Sequence, residues 1–197
     1  MQQSFESIVK SYLANNVGLS ANFLRSELAK ALKENLLNLH SKNQLNQAGI
    51  GNNNKLAKNN SIRSDKIYWL DRKHNNSYEN DFFDLMDEFV SYLNQTCYTG
   101  INGYEFHYAL YEKGTLYKRH IDQFKDNISR AYTLIMYLNT DWREGDGGEL
   151  CIYHPGGLQT INPVNGTCVF FKSSELEHEV LLSNKPRLSI TGWLKSK

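Results

Sequence analysis

Apolar residues at Phe5, Ile8, Val9, Tyr12 and Leu13 recur at helical spacing, and the run Asn15-Asn16-Val17-Gly18 ends that period. A second helix is expected to start near Ser20 or Asn22, either of which can cap the exposed amides. It carries Phe23, Leu24, Leu28, Ala31, Leu32, Leu36 and Leu39 on one apolar face, which reads as packing against a sheet. From Ser41 to Ser61 the periodicity disappears into Asn, Gln, Lys and Gly. A stretch of that length within a compact domain is either functional or disordered. Ile67-Tyr68-Trp69-Leu70 then reads as a short strand, and a third helix from about Glu79 to Gln95 presents Phe82, Phe83, Leu85, Met86, Phe89, Val90 and Leu93.

After Gly100 the pattern becomes that of strands. Segments 103–112, 116–122, 131–139, 148–153, 158–162, 166–171, 177–182 and 187–194 are rich in Tyr, Ile, Val, Thr, Phe and Leu, with Gly and Pro in several of the gaps. Many short strands in series imply an antiparallel sandwich or barrel, here a jelly roll. Helices first and strands afterwards make the fold α+β: a double-stranded β-helix with supporting N-terminal helices. We expect one domain over residues 1–197, with 1–99 as mainly helical support and 100–197 as the core of the site.

Composition narrows the class. The chain has 197 residues and a formal net charge of +1, which gives no support to a general nucleic-acid-coating protein. Lys42, Lys55, Lys58 and Arg63 nonetheless make the 41–66 region locally basic. Cys97, Cys151 and Cys168 are odd in number and scattered, against a disulfide framework or zinc ribbon. No basic start with an apolar run precedes the first helix, and no stretch approaches a membrane span, so the expected setting is a reducing cytoplasm.

Candidate chemistry centres on His120-Ile121-Asp122. Residues i and i+2 of a strand share a face, so an imidazole and a carboxylate stand side by side. A second His on a facing strand would complete a two-His, one-carboxylate set with open coordination positions, which suits non-haem Fe(II). By itself this three-residue pattern is a weak signal, and a surface or strand-end pair making an ordinary ion pair explains it more simply. In the last strand Leu188, Ile190 and Leu194 share one face, while Arg187, Ser189, Thr191 and Trp193 share the other. If the aliphatic face packs under the helices, Arg187 points into the barrel, where it requires an anionic partner. A protein carboxylate or a bound carboxylate would serve.

The set His120-Ile-Asp122, His178 and Arg187 resembles the Fe(II)- and 2-oxoglutarate-dependent dioxygenases, in particular the prolyl 4-hydroxylase branch of hypoxia-type prolyl hydroxylases and bacterial relatives. Gly114-Thr-Leu-Tyr117-Lys-Arg-His120-Ile-Asp122, Thr133-Leu-Ile-Met-Tyr137-Leu-Asn139, Asp141-Trp142 and Gly147-Gly148-Glu149-Leu150 extend the resemblance, as does Ile62-Arg63-Ser64-Asp65 upstream. It covers about residues 60–195. The resemblance implies that His120, Asp122 and His178 bind Fe(II) and that Arg187, with Tyr137, holds the distal carboxylate of 2-oxoglutarate. Thr133 and Tyr111 would line that pocket. Arg130, Trp193 and Tyr117 would meet the substrate, and Arg63 with Asp65 would anchor a capping loop at 41–61. It further implies O2 as cosubstrate, ascorbate as an optional reductant, and a protein or peptide bearing a proline as partner.

Two other functions stay open at this point. One is the same chemistry on another residue, a small molecule or an alkylated nucleic acid. Demethylases of the last type carry a second Arg where this chain has Trp193, which disfavours nucleic acid as a direct substrate. The other is a non-catalytic jelly-roll binding module. The remaining histidines read as incidental: His40 and His74 solvated, His154 in a turn. His107 is undecided, because strand parity puts it on the face of Ala109 and Tyr111. Cys151 and Cys168 read as small buried strand residues. Sequence does not fix the oligomeric state.

Overall fold

A computed structural model of the protein describes residues 2–49, 61–123 and 128–196. Helix α1 (Gln2–Asn15) buries Phe5 and Ile8, with Val9 and Tyr12 half-buried beside them. Leu13 departs from the expected face and is 75% exposed. The start expected near Ser20 or Asn22 is also displaced. Gly18–Ser20 is a strand, β1, whose Ser20 pairs with Cys168, and Asn22 has a left-handed backbone with φ 60°. Helix α2 therefore begins only at Ser26 and runs to Ser41, with Arg25 before it providing no side-chain cap. Pairing of β1 with the sheet outcompetes the local capping signal.

Within the stretch expected to lack regular structure, Asn46–Gln47 forms a strand, β2, which pairs antiparallel with β3 (Lys66–Trp69). Residues 50–60, the centre of the expected capping loop, lie outside the described residues. Asp71 caps a short 3₁₀ turn, Arg72–His74, and Asn76 caps α3 (Ser77–Cys97) by accepting from the Tyr78 and Glu79 amides. The β half follows with β4 (Ile101–Tyr111), β5 (Tyr117–His120), β6 (Arg130–Tyr137) and β7 (Leu150–His154). It is completed by β8 (Gly157–Ile161), β9 (Cys168–Lys172), β10 (Glu177–Val180) and β11 (Arg187–Ser196).

The strands form a seven-stranded sheet of order β1-β9-β6-β11-β4-β3-β2 and a four-stranded sheet of order β5-β10-β7-β8. All pairings between named strands are antiparallel. This is the double-stranded β-helix expected from the strand series, with helices backing its larger sheet. Strand alternation builds two cores. Leu134, Met136, Phe170, Leu188, Ile190 and Leu194 join the helices on one face of the large sheet. Ala109, Tyr111, Ile135, Tyr137, Val169 and Phe171 face the small sheet and meet Leu150, Ile152 and Val180. Each fully buried side chain of this size contributes roughly 1.5–3 kcal/mol, so the helix-side core fixes the register that decides what faces the other way. Among the described residues no helix is long and apolar enough to cross a membrane.

Candidate active site

Between the two sheets lies a pocket lined by His120, Asp122 and His178 at one end and by Tyr111 and Arg187 at the other. Strand β11 aims Arg187 into it because its neighbours Leu188 and Ile190 are held in the helix-side core. On the small sheet β5 and β10 pair with His120 directly opposite His178. Asp122 follows β5 and completes the cluster. The three ligand atoms lie within 4.8 Å of one another. Nε2 of His120 is 3.5 Å from Asp122 Oδ1, and Nε2 of His178 is 3.5 Å from Oδ2.

The ring orientations are set from behind. Nδ1 of His120 lies 2.7 Å from the Lys118 carbonyl, and Nδ1 of His178 lies 3.2 Å from the Leu176 carbonyl. Each Nδ1 thus donates to backbone, and each Nε2 lone pair is left facing the cluster, the arrangement of a metal-ligating imidazole. Burial, together with His120, pushes His178 down to about 4 despite Asp122, so it is neutral and ready to ligate. Burial opposes ionisation of Asp122, but His178, His120 and Thr133 outweigh it and hold the carboxyl well below the usual range. Thr133 donates to Asp122 Oδ2 at 2.8 Å and contacts Ser173 Oγ at 2.9 Å. The Thr133 hydroxyl therefore supports the carboxylate, and it is Ser189 that stands beside Arg187.

Arg187 is 2% exposed. Its Nε donates to the Gly148 carbonyl at 2.8 Å and its Nη1 is 3.4 Å from Ser189 Oγ. Among the described residues no carboxylate lies within ion-pair distance of it. Among those residues the protein-carboxylate alternative finds no partner, and a buried cation is left to take an anionic ligand. The rings of Tyr111 and Tyr137 flank the guanidinium at 4.8 and 5.0 Å. Tyr137 Oη is buried without a partner, a second donor waiting at the same end. Gly148 is required here, since it has φ +76° and a Cβ would stand 2.9 Å from Arg187 Cδ. A two-His set with an ionised carboxylate, and a guanidinium without a carboxylate beside an unpartnered phenol, fit a divalent iron at one end and a dicarboxylate reaching to the other.

The other residues singled out from sequence surround this axis. Arg63 forms a two-point ion pair with the fully buried Asp65, at 2.7 and 3.0 Å, and donates to the Gly49 carbonyl at 3.4 Å. It thus ties together the two described ends that flank residues 50–60. Its guanidinium stands 4.6 Å above the Tyr117 ring, which in turn stacks on His120 at 3.6 Å. Arg130 covers the Trp193 ring at 3.3 Å and pairs with Glu105. His107 lines the pocket. His74 is bonded to the buried Glu79 at 2.8 Å, where the sequence suggested simple solvation. His40 approaches Glu112 at 3.8 Å, and His154 bonds Gln159 at 3.0 Å across the β7–β8 hairpin. Cys151 and Cys168 are buried. Ser173, Ser189 and the Gly148 carbonyl were not singled out from sequence. The parity of β11 places Ser189 on the face of Arg187 without giving it a role, whereas the other two depend on chain crossings that leave no local signal.

Residues 106–195 match the family model described as the 2OG-Fe(II) oxygenase superfamily. A Pseudomonas putida prolyl-4-hydroxylase crystal structure superposes with a TM-score of 0.88 at 31% identity, covering 98% of this chain and 99% of that one. A Trichoplax adhaerens prolyl hydroxylase, in complex with a hypoxia inducible factor oxygen degradation domain peptide fragment, gives a TM-score of 0.88 at 25% identity, covering 99% and 90%. Human Egl nine homolog 1 is 26% identical over 98% of this chain and 47% of its own length. The chain spans about half the length of the curated Egl nine relatives it matches, from 47% to 59% of each. With these similarities added to the geometry, the chain belongs to the 2OG-Fe(II) oxygenase superfamily, among its prolyl-hydroxylase-like enzymes.

Proposed function

We propose that this protein is an Fe(II)- and 2-oxoglutarate-dependent dioxygenase that hydroxylates a prolyl residue of a protein or peptide, with succinate and CO2 as coproducts. The observation that carries the reading is the pairing, in one pocket, of the His120–Asp122–His178 cluster with a buried Arg187 that has no carboxylate partner among the described residues. Bound Fe(II), with 2-oxoglutarate and O2, supplies the oxidising power for hydroxylating an unactivated C–H bond.

The chain's own residues bind, orient and exclude water. Arg187 offers two parallel N–H donors to the distal carboxylate of the cosubstrate, and Tyr137 Oη adds a third. His120, Asp122 and His178 hold the metal, with the Lys118 and Leu176 carbonyls and Thr133 Oγ1 fixing the ligands. Trp193 under Arg130 and Tyr117 under Arg63 are held rigidly at the pocket, where a substrate would come. The Arg63–Asp65 pair would anchor the chain at Gly49 beside the pocket. Support for a prolyl substrate comes from the relatives named above.

The test is incubation of the purified protein with Fe(II), 2-oxoglutarate, ascorbate and proline-bearing host proteins under air. We expect succinate in step with one oxygen added to a proline, read by mass spectrometry, and loss of both with Asp122→Ala. Succinate coupled to oxygen on a different residue or a small molecule would retain the cosubstrate and replace the substrate. CO2 release that never rises above the Asp122→Ala background would overturn the reading.

A further inference from the structure

Two side chains lining the pocket carry buried polar atoms that have no hydrogen-bond partner among the described residues. His107 is 1% exposed and neither of its ring nitrogens has a hydrogen-bond partner. Trp193 Nε1 is likewise buried and unpartnered. Leaving such groups unpaired is costly, so three idle atoms along one wall of a ligand pocket call for a ligand that satisfies them. The His107 ring is fixed from its sides by Trp69, at 4.9 Å between centroids, and Trp193, at 5.5 Å. Its nitrogens therefore have the cavity as their outlet.

The register of the large sheet says which part of a ligand comes there. Arg187 Nη1 is turned along β11 toward Ser189, which stands opposite Ala109 on β4 and Tyr137 on β6. One pleat further, Thr191 stands opposite His107, and one pleat beyond that Trp193 stands opposite Thr133, which holds Asp122. A two-residue step along a strand is about 7 Å, the length class that separates the two carboxylates of an extended five-carbon diacid. A diacid seated on Arg187 thus brings its other carboxylate to the His107–Thr191 level, next to the metal ligands. The cations nearby are already engaged, Arg63 by Asp65 and Arg130 by Glu105. Burial, reinforced by Arg63 and Arg130, pushes His107 well below its ordinary value. The ring is therefore neutral, with one N–H to donate and one nitrogen to accept.

We propose that His107 is a cosubstrate-binding residue, its ring N–H donating to the carboxylate beside the keto group, so that Arg187 and His107 grip opposite ends of the 2-oxo acid. This rests on the dioxygenase reading above. It makes the pocket selective for a 2-oxo diacid over a keto acid that lacks the near carboxylate.

The experiment is an anaerobic titration of the Fe(II)-loaded protein, read by the fluorescence of Trp69 and Trp193 and by calorimetry. The probes are 2-oxoglutarate and levulinate, which keeps the distal carboxylate and keto group but has a methyl in place of the near carboxylate. His107→Leu and His107→Met keep the volume without the donor and should weaken 2-oxoglutarate about tenfold, the worth of one hydrogen bond to a charged group. Levulinate binding should be unchanged in both. His107→Gln, which keeps an N–H, should retain most of the 2-oxoglutarate affinity. The proposal is overturned if the apolar variants bind 2-oxoglutarate like the wild type, or weaken both probes equally. Absence of 2-oxoglutarate binding by the wild type would instead sink the dioxygenase reading itself.

Discussion

At the scale of residues, the site depends on groups that hold the ligands as much as on the ligands. Thr133 donates to Asp122 and is fully buried. Thr133→Val keeps the shape and deletes the hydroxyl. Metal affinity should fall roughly 10–100-fold, as for other outer partners of ligating carboxylates, measured by anaerobic Fe(II) titration; an unchanged affinity would remove Thr133 from the site. His178 gives a pH prediction for the metal-free protein. Its value is lowered from 6.5 to about 4 in the folded chain, so between those limits the unfolded chain binds more protons. Stability should be complete above pH 6.5, fall as pH drops toward 4, and total on the order of 2–4 kcal/mol from this residue. Asp122, held low, adds its own loss below the ordinary carboxylate range. Urea unfolding across that window should show the slope, and His178→Ala should flatten it. The His120-x-Asp122 spacing was readable because strand parity is local. The service of Thr133 to Asp122 was not, since the loop after β5 brings them together.

At the scale of elements, β11 is the strand that converts packing into a site. Its aliphatic residues sit in the helix-side core and its polar ones in the pocket, so one register decides both. Gly192 is the weak point in that strand. A Cβ there would stand 2.2 Å from the Glu105 carbonyl and 2.1 Å from Phe106 Cδ1. Gly192→Ala must push β4 and β11 apart and should destabilise the protein by about 1–3 kcal/mol or more. Because Arg187 and Trp193 ride on the same strand, 2-oxoglutarate affinity should fall with it; calorimetric melting and ligand titration read the two effects. Helix α3 offers a control remote from the pocket. Asn76→Ala removes acceptors for two amides and should cost about 0.5–2 kcal/mol without changing ligand affinity. The periodicity of α3 and the alternation of β11 were legible because each buries one face. The start of α2 was not, because β1 recruited its expected cap into the sheet.

At the scale of the whole molecule, the metal ligands and their supports join two sheets that otherwise meet through side chains. His120 and His178 come from the small sheet, while Thr133, which holds Asp122, comes from the large one. A metal that binds only the folded arrangement stabilises it by mass action, by about 2.7 kcal/mol at a hundredfold excess over its Kd. Anaerobic Fe(II) should therefore raise the melting midpoint, and His120→Ala should erase the rise. A metal-dependent shift that survives His120→Ala would place the metal elsewhere.

The sequence by itself determined the periodicities, and with them the α+β class, the strand-rich second half and the faces that Arg187, Tyr137 and His120 present. These are local properties, set by 3.6- and 2-residue repeats and by side-chain chemistry. Tertiary structure alone decided which carboxylate the guanidinium of Arg187 would meet. It brought Gly148, Ser189, Tyr111 and Tyr137 around that cation and, among the described residues, no anion. Among the same residues His107 has no partner at the other end of the pocket. The reason is physical: whether a buried polar group is satisfied depends on what every neighbouring element supplies, and those neighbours come from across the whole chain.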